Sequence, residues 1–213
     1  MTEGSRQAGG TVALFTRISK VRQVKQRLAR HVGAQRALEV HRFLLSRTLD
    51  VLIALEDMSK EVWIAGDPAQ IDDHDPLLAY RRGLIHQQGD SLGDRMAFAI
   101  EQIASRSRIP IIIGSDCPLM DVAYLQQALD AVQQDNDVVL GPADDGGYTL
   151  ISMLTVHAEL FKSIDWGTAR VLDQTLCAAD RQGLSVHLLD TLWDVDRVED
   201  LERLAQMGLP DFR

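Results

Sequence analysis

The feature that most constrains the fold is a short β-branched run, Ile109 and 111–113, which ends abruptly in Gly114-Ser-Asp-Cys-Pro118. Such a run is typical of a strand buried on both faces, and hence of a central strand in a mostly parallel sheet. Asp116 follows the carboxyl end of this strand, the edge of an open α/β sheet where ligands bind. Two interpretations stay open. Asp116 is a metal ligand, or Asp116 or the serine before it caps a helix that begins near Leu119.

Length and charge bound the class of protein. The chain has 213 residues, enough to bury a full core as one domain, and a formal charge of −9, which opposes non-specific binding of nucleic acid. Its two cysteines imply no disulfide framework and fit a reducing cytoplasm, and no apolar run is long enough to cross a bilayer. We expect a cytoplasmic protein without nucleic-acid or membrane partners, a disordered lead over residues 1–10 without a signal peptide, and a single domain over residues 11–213.

Strand-like and helix-like segments alternate along the chain without a break in composition. This alternation predicts an α/β fold, a single Rossmann-like domain with a mixed, mostly parallel sheet and helices on both faces. The predicted strands are 11–15, 61–66, 83–88, 109–113, 137–141, 149–153 and 184–189. The predicted helices are 34–58, a helix opened by the segment 89–96 and running to about 107, 121–134, 155–161, 169–182 and 198–207.

A cluster of basic residues follows the first predicted strand. Six cations lie within fourteen residues of an otherwise acidic chain: Arg17, Lys20, Arg22, Lys25, Arg27 and Arg30. One interpretation is a solvated loop followed by the first turns of a helix. The other is a cradle for a polyphosphate, since cations gathered after a first strand neutralise an anion there.

Two glycine-containing segments are suited to ligand binding. Gly89, Gly93 and Arg95 open a predicted helix, where glycine lets the backbone approach a ligand and arginine adds a charge-assisted bond. The alternative is an ordinary loop, capped by the aspartate or serine at 90–91. Asp144-Asp-Gly-Gly-Tyr148 has the chemistry of a hairpin turn, but it lies at the same kind of sheet edge and is also suited to an acceptor pocket with tyrosine as a wall.

Asp194 and Asp196 flank one residue, so in extended backbone both carboxylates face the same side. That spacing lets one of them meet Asp116 at a shared divalent cation. The alternative is that Asp196 caps the last helix. By contrast, His41 lies on an apolar helical stripe and is predicted to pack in the core. The acidic segment 67–75 is predicted to be a solvated loop because it lacks the spacing of metal ligands.

Four segments together resemble one family, small bacterial glycosyltransferase-like proteins with a GT-A fold that are associated with arsenosugar biosynthesis or radical-SAM enzymes. The resemblance runs from Val12 onward, and the third segment is its most specific part. The segments are Lys25-Gln-Arg-Leu28, Gly114-Ser-Asp-Cys-Pro118, Leu140-Gly-Pro-Ala-Asp-Asp-Gly-Gly-Tyr148, and Asp194-Val-Asp196 with Glu199-Asp200-Leu201. Molybdenum-cofactor nucleotidyltransferases and phospholactate guanylyltransferases are related families that share the scaffold.

The resemblance implies the nucleotide-diphospho-sugar transferase fold and a site for a nucleotide sugar or NTP at the carboxyl edge of the sheet. Mg²⁺ or Mn²⁺ bridging phosphate oxygens is expected on Asp116, Asp194 and Asp196. The residues expected to bind substrate are Arg17, Arg27, Gly93, Arg95, Asp144, Gly146, Gly147, Tyr148 and Trp166. Those expected to act in catalysis are Asp116, Lys25 and Asp145.

The first loop departs from the family pattern, which resembles Lys-Ala-Pro-x-Pro-Gly-x-x-Lys-Thr-Arg-Leu. Ser19 and Val21 stand where that pattern has proline, Arg22 where it has glycine, and Gln26 where it has threonine. A loop without glycine wraps phosphates less closely.

Three functions are therefore compatible with the sequence. The first is metal-dependent glycosyl transfer from a nucleotide sugar to a small-molecule acceptor, with Asp144 or Asp145 as base. The second is guanylyl or cytidylyl transfer from an NTP to a small phosphorylated acceptor, which requires no general base. The third is a non-catalytic nucleotide-binding homologue. A homo-oligomer is compatible with all three.

Overall fold

The computed structural model describes residues 7–212. Within that range seven strands form one sheet: β1 (Gln7–Arg17), β2 (Ser59–Ala65), β3 (Leu84–His86), β4 (Ser107–Gly114), β5 (Val138–Pro142), β6 (Tyr148–Met153) and β7 (Val186–Leu188). Their order across the sheet is β3-β2-β1-β4-β6-β5-β7. β6 runs antiparallel to β4 and β5, and the other neighbouring pairs are parallel. The predicted mixed, mostly parallel sheet is confirmed.

Helices cover both faces of this sheet, as predicted. The helices are α1 (Gln26–Val32), α2 (Ala34–Ala54), α3 (Leu92–Ala104), α4 (Val122–Gln133), α5 (Val171–Arg181) and α6 (Val198–Gln206). α2 and α4 contribute buried side chains to the hydrophobic cluster on one face, whereas α3 and α5 contribute to the cluster on the other. The architecture is that of a nucleotide-diphospho-sugar transferase fold.

The β-branched run forms the buried centre of the sheet. β4 pairs with β1 on one side and with β6 on the other. Ile111 and Ile113 pack in the cluster with α2 and α4, and Ile112 packs in the cluster with α3 and α5. Because successive side chains of a strand point to opposite faces, a continuous apolar run is what a strand between two helical layers requires.

A third hydrophobic cluster fixes the segment that carries the late aspartates. Trp193 and Val195 are buried among residues of α1, the first half of α2, and α6. This packing brings the segment beside α1, which follows the loop of residues 18–25, called the basic loop below. Two stretches that lie far apart in the chain are thus held side by side.

The structure corrects the interpretation of Asp116 as a helix cap. α4 begins at Val122, and its N-cap is Asp121, whose side chain accepts a hydrogen bond from the Tyr124 backbone N–H at 2.8 Å. Residues 118–119 form a turn before the cap. Asp116 therefore plays no part in starting α4. Asp196 is likewise not the cap of α6, because the carboxylate that accepts hydrogen bonds at this helix start is that of Asp200.

Several predicted boundaries also differ. β1 begins at Gln7, so the predicted disordered lead is wrong for residues 7–10, and its remainder, 1–6, lies outside the described residues. The predicted helix 34–58 ends at Ala54, where Leu55 turns to extended backbone. The segment 155–161 forms only a short 3₁₀ turn, Ala158–Phe161. Across the described residues, none of the helices combines the length and apolar character needed to span a membrane.

Candidate active site

A cleft of about 640 Å³ opens at the carboxyl ends of β1 and β4. Its walls come from the ends of these strands and of β6, from the basic loop, and from the segment after Trp193. Eight of the residues predicted to form the site line it: Arg17, Lys25, Arg27, Arg95, Asp116, Tyr148, Asp194 and Asp196. The structure therefore brings the three predicted metal ligands together with four of the predicted cations.

Lys25 lies at the centre of this arrangement. Its Nζ is 2.8 Å from Asp116 Oδ1 and 3.5 Å from Asp196 Oδ1, and its side chain is 2% exposed. The two carboxylates are less enclosed, with 39% and 38% of their side-chain surface exposed. A buried ammonium group therefore joins two acidic groups that face the open cleft.

Backbone contacts explain why these groups converge. The Val195 N–H donates to the Asp116 carbonyl oxygen at 3.0 Å, which fixes the segment carrying Asp194 and Asp196 to the end of β4. The hydroxyls of Thr16 and Ser115 hydrogen-bond at 3.0 Å and join the ends of β1 and β4. The cleft floor is thus fixed by contacts between strand ends.

The charges of the cluster shift one another's pKa values. Burial opposes the charge of Lys25, but Asp116 and Asp196 outweigh it and raise the lysine pKa above its usual value. Burial likewise opposes ionisation of Asp116, but the charge of Lys25 holds its pKa below the usual range. Burial and the charge of Asp116 raise the pKa of Asp194 to about 8. Asp194 therefore carries a proton at neutral pH in this arrangement.

The chemistry of the donor set tests whether a divalent cation fits the site. A carboxyl group held neutral beside a second carboxylate becomes an ionised ligand when a cation of sufficient charge joins it. In nucleotide sites Mg²⁺ uses one or two carboxylates together with substrate phosphates. Among residues 7–212, no three or more His, Cys, Asp or Glu side chains form a ready-made metal cluster. The donor set thus fits an ion completed by phosphate oxygens, rather than one enclosed by protein alone.

The basic loop is shaped by contacts from outside it. The backbone N–H of Ser19 donates to Oδ2 of Asp75 at 3.1 Å, and Oδ1 of this buried carboxylate accepts from the Leu77 N–H at 2.9 Å. Arg22, which stands where the family pattern has glycine, has φ 66°, and Lys25 has φ 47°. The loop therefore keeps left-handed backbone without glycine, and Asp75 braces it from the acidic segment that was predicted to be merely solvated.

His41 is buried, as predicted, and also lies against the site. It is 3% exposed, it lines the cleft, and its Nε2 is 3.3 Å from the Arg17 carbonyl oxygen. Since a carbonyl accepts, Nε2 carries the proton. Burial lowers the pKa of His41, so it is a neutral residue that supports the start of the basic loop.

Two predicted aspartates do not line the cleft. Asp144 forms an ion pair with Arg203 of α6 at 2.6 Å, and Asp145 Oδ1 accepts a hydrogen bond from the Gly147 N–H at 2.9 Å. Their segment joins the antiparallel strands β5 and β6, so the hairpin interpretation is confirmed.

The remaining predicted residues act in packing around the cleft. A side chain at Gly146 would overlap the Ala169 carbonyl, and one at Gly93 would overlap the Phe161 carbonyl and the Trp166 ring. Trp166 packs edge-on against Tyr148, with ring centroids 6.1 Å apart. These glycines therefore permit close approach of protein segments, which keeps the tyrosine wall in place. The Ser91 cap of α3 is also present, in a capping box with Asp94.

Gln87 is one of the polar residues of the cleft that sequence reasoning missed. It follows β3 and lies among the lining residues. No motif marks it, because its role depends on which strands lie side by side, and strand order is not visible in a single sequence.

Comparisons with known proteins bear on the family and on the fold. A family model described as "Uncharacterized protein conserved in bacteria (DUF2064)" matches residues 48–168. A search of curated proteins found no match.

Solved structures share the fold. A "putative nucleotide-diphospho-sugar transferase" from Desulfovibrio desulfuricans G20 has a TM-score of 0.81 and 28% identity, over 94% of this chain and 88% of that one. CMP:2-keto-3-deoxy-manno-octonic acid synthetase in complex with CTP has a TM-score of 0.58 and 11% identity, over 94% and 99%. Glucosyl-3-phosphoglycerate synthase from Mycobacterium tuberculosis, in complex with Mn²⁺, UDP and glucosyl-3-phosphoglycerate, has a TM-score of 0.55 and 12% identity, over 98% and 84%.

Proposed function

The chain belongs to the DUF2064 family, and for this member we propose metal-dependent transfer of a sugar from a nucleotide-sugar donor to a small-molecule acceptor. The observation that carries the proposal is the Lys25–Asp116 pair in a cleft at the carboxyl edge of the sheet. Carboxylates are ligands for a divalent ion, and a cation beside them supplies the charge that a diphosphate needs. The likeness to a solved protein named as a nucleotide-diphospho-sugar transferase supports the choice of donor.

The cations of the cleft bind the donor's phosphates in this proposal. Lys25 supplies a charge that is already desolvated, and Arg27 lies at the cleft wall with its guanidinium 3.6 Å from Asp196. Lys25 and Arg27 are both paired with carboxylates, so a bound phosphate replaces a carboxylate as their anionic partner. Arg17 and Arg95 add positive charge at the same cleft. Negative charge that develops on the departing nucleoside diphosphate is stabilised by these groups.

Asp116, Asp194 and Asp196 would hold Mg²⁺ or Mn²⁺ at this site. When bound, such an ion supplies neutralising charge to the phosphate oxygens. The supporting observation in this chain is that these three carboxyl groups line one cleft, where burial and the charge of Asp116 raise the pKa of Asp194 to about 8. The Mn²⁺ in the complex of glucosyl-3-phosphoglycerate synthase is a property of that protein that agrees with the proposal.

The second candidate is nucleotidyl transfer from an NTP, and one observation favours it. The aspartates predicted to act as base are held elsewhere, Asp144 by Arg203 and Asp145 by the Gly147 N–H. A phosphate acceptor is already anionic and attacks without a base, whereas a hydroxyl acceptor gains from one. Glycosyl transfer therefore requires Asp145 to leave its turn, and nucleotidyl transfer does not.

The experiment is a thermal-shift titration with Mg²⁺ or Mn²⁺ and a panel of NTPs and nucleotide sugars. A ligand that binds only the folded protein raises the melting temperature, and the rise grows with the logarithm of the ligand concentration above its dissociation constant. Product analysis of the stabilising ligands with candidate acceptors then separates the reactions. Release of a nucleoside diphosphate marks glycosyl transfer, and release of pyrophosphate marks nucleotidyl transfer. Stabilisation without either product marks a nucleotide-binding protein without catalysis.

Asp116→Asn is the test variant, and Asp121→Asn is its matched control. Both remove one negative charge, but Asp121 caps α4, where asparagine serves as well as aspartate. The proposal requires Asp116→Asn to abolish metal-dependent stabilisation by the nucleotide and requires the control to retain it. Equal responses of the two variants, or no stabilisation of the wild type by any nucleotide, refute the proposal.

A further inference from the structure

The carboxamide of Gln87 joins the ends of three neighbouring strands. Its Nε2 donates to the Thr16 carbonyl at the end of β1 at 3.0 Å and to the Trp63 carbonyl of β2 at 2.9 Å. Its backbone N–H extends the pairing of β3 by donating to the Ile64 carbonyl at 3.0 Å. The side chain is therefore fixed at both of its donor hydrogens.

These two contacts also fix the orientation of the amide. Only the nitrogen of a carboxamide donates, so two backbone carbonyls as partners identify which atom is Nε2 and which is Oε1. Within residues 7–212 no donor hydrogen-bonds to Oε1. Gln87 lines the cleft. For a ligand in the cleft, the side chain of Gln87 thus offers one hydrogen-bond acceptor, Oε1, whose direction is fixed. It offers neither a donor nor a charge.

The strand order places this acceptor in one half of the cleft. The order β3-β2-β1 is that of a mononucleotide-binding half of a doubly wound sheet, and the crevice lies between β1 and β4, where the order reverses. Lys25 and Asp116 lie at that reversal, between β1 and β4, and Gln87 lies on the β3-β2-β1 side of it. A nucleotide whose phosphates reach Lys25 would extend its other end along the wall that carries Gln87.

We propose that Gln87 recognises the nucleobase of the donor, with Oε1 accepting a hydrogen bond from an N–H on the hydrogen-bonding edge of the base. The inference rests on the proposed function, since it assumes that the cleft takes a nucleotide. It assigns a residue that no motif marks. Because the donor hydrogens of Gln87 are already occupied, the pocket at this point selects a base edge with a donor and disfavours one with only an acceptor.

The test compares nucleotides with a ligand that has no base. Binding of Mg²⁺-ATP, -GTP, -CTP and -UTP, and of Mg²⁺-pyrophosphate, is measured by titration calorimetry on the wild type, on Gln87→Met and on the control Gln88→Met. Loss of one hydrogen bond to a buried group weakens binding by about tenfold. We expect Gln87→Met to weaken the best-bound nucleotide by about tenfold or more, with pyrophosphate changed less than about twofold. The control should change neither.

A second measurement needs no variant and separates the base from the ribose. On the wild type, methylation of the base N–H should weaken binding by a similar factor, whereas removal of the ribose hydroxyls should not reproduce the loss. Equal weakening of pyrophosphate and nucleotide by Gln87→Met overturns the inference and leaves Gln87 as a tie between strand ends. Full affinity for the N-methylated nucleotide also overturns it. Failure of the wild type to bind either nucleotide or pyrophosphate instead overturns the proposed function, and the inference with it.

Discussion

Replacement of Lys25 by methionine isolates what the buried ammonium contributes. Methionine keeps most of the side-chain volume, so packing changes little, while the partner of Asp116 and Asp196 is removed. Loss of one partner of a fully buried ion pair costs about 3–5 kcal/mol of unfolding free energy. Both carboxylates keep more than a third of their surface in solvent, which screens the unpaired charges, so we expect a loss of about 1–2 kcal/mol.

The assay is urea denaturation of the wild type, of Lys25→Met and of Lys20→Met at one pH and ionic strength. Lys20 is the matched control, because it lies in the same loop but is exposed, with its Nζ on Gln70. We expect the control to change the unfolding free energy by less than about 0.5 kcal/mol. The difference between the two variants measures the buried charge rather than the loop.

Addition of Mg²⁺ or Mn²⁺ without nucleotide extends the test to the metal. Without Lys25, the carboxylates of Asp116, Asp194 and Asp196 have room and excess charge for a divalent ion, which should then restore stability. At ten times its dissociation constant a ligand adds about 1.4 kcal/mol. The wild type, with its ammonium in place, should gain less. Sodium chloride at equal ionic strength is the control for screening.

Two outcomes would refute this reasoning. If Lys25→Met is as stable as Lys20→Met, the ammonium does not compensate the carboxylates, and the electrostatic account of the cluster is wrong. If Lys25→Met is destabilised but neither divalent ion restores it beyond the effect of salt, a divalent charge does not replace the ammonium among these carboxylates, and the charge-compensation argument is wrong for the metal.

Three further predictions concern the scaffold. Arg203→Ala should lower the unfolding free energy by about 1 kcal/mol in urea denaturation. The substitution removes the ion pair with Asp144 and the cation–π contact 4.2 Å from the ring centre of Trp193. Nucleotide binding should be unchanged. Hydrogen bonds from Ser185 hold the pKa of Asp137 in the folded protein below its usual value. Wild type should therefore be more stable than Asp137→Asn at pH values above the usual pKa, and this difference should disappear as pH falls through the lower pKa of the folded protein. Acid titrations of the unfolding free energy of both proteins would measure it. Arg22→Gly should be about 0.5 kcal/mol more stable than Arg22→Ala in urea denaturation, because φ 66° strains alanine by more than glycine loses in unfolded-chain entropy.

The sheet could be predicted from sequence because its signals are local. An unbroken β-branched run such as Ile111–Ile113 is buried on both faces wherever it lies centrally, and the structure places it between two helical layers. Convergence of Asp116 with Asp194 was also predicted, from the position of Asp116 at the carboxyl end of β4 and from the spacing of Asp194 and Asp196. These inferences need the type and order of elements, but not their exact packing.

The wrong predictions arise where two residues satisfy the same local rule, or where tertiary contacts determine the role of a residue. Asp116 and Asp121 both precede a helical pattern. Because a turn at 118–119 comes first, α4 begins later and Asp121 is its N-cap. Asp144 satisfies turn chemistry and substrate chemistry equally well until Arg203, far along the chain, is seen to pair with it. No sequence pattern marks Gln87, because its role depends on hydrogen bonds to carbonyls on two other strands.

The brace between Asp75 and the Ser19 N–H has a consequence for how related chains should vary. A loop that contains proline and glycine is stiffened and shaped by its own residues, whereas this loop takes its shape from a carboxylate fifty-six positions away. Substitution at position 75 should therefore be tolerated in relatives whose loop has the proline-glycine pattern, and should be selected against in those that have lost it. Covariation between the loop and position 75 across an alignment would record that exchange.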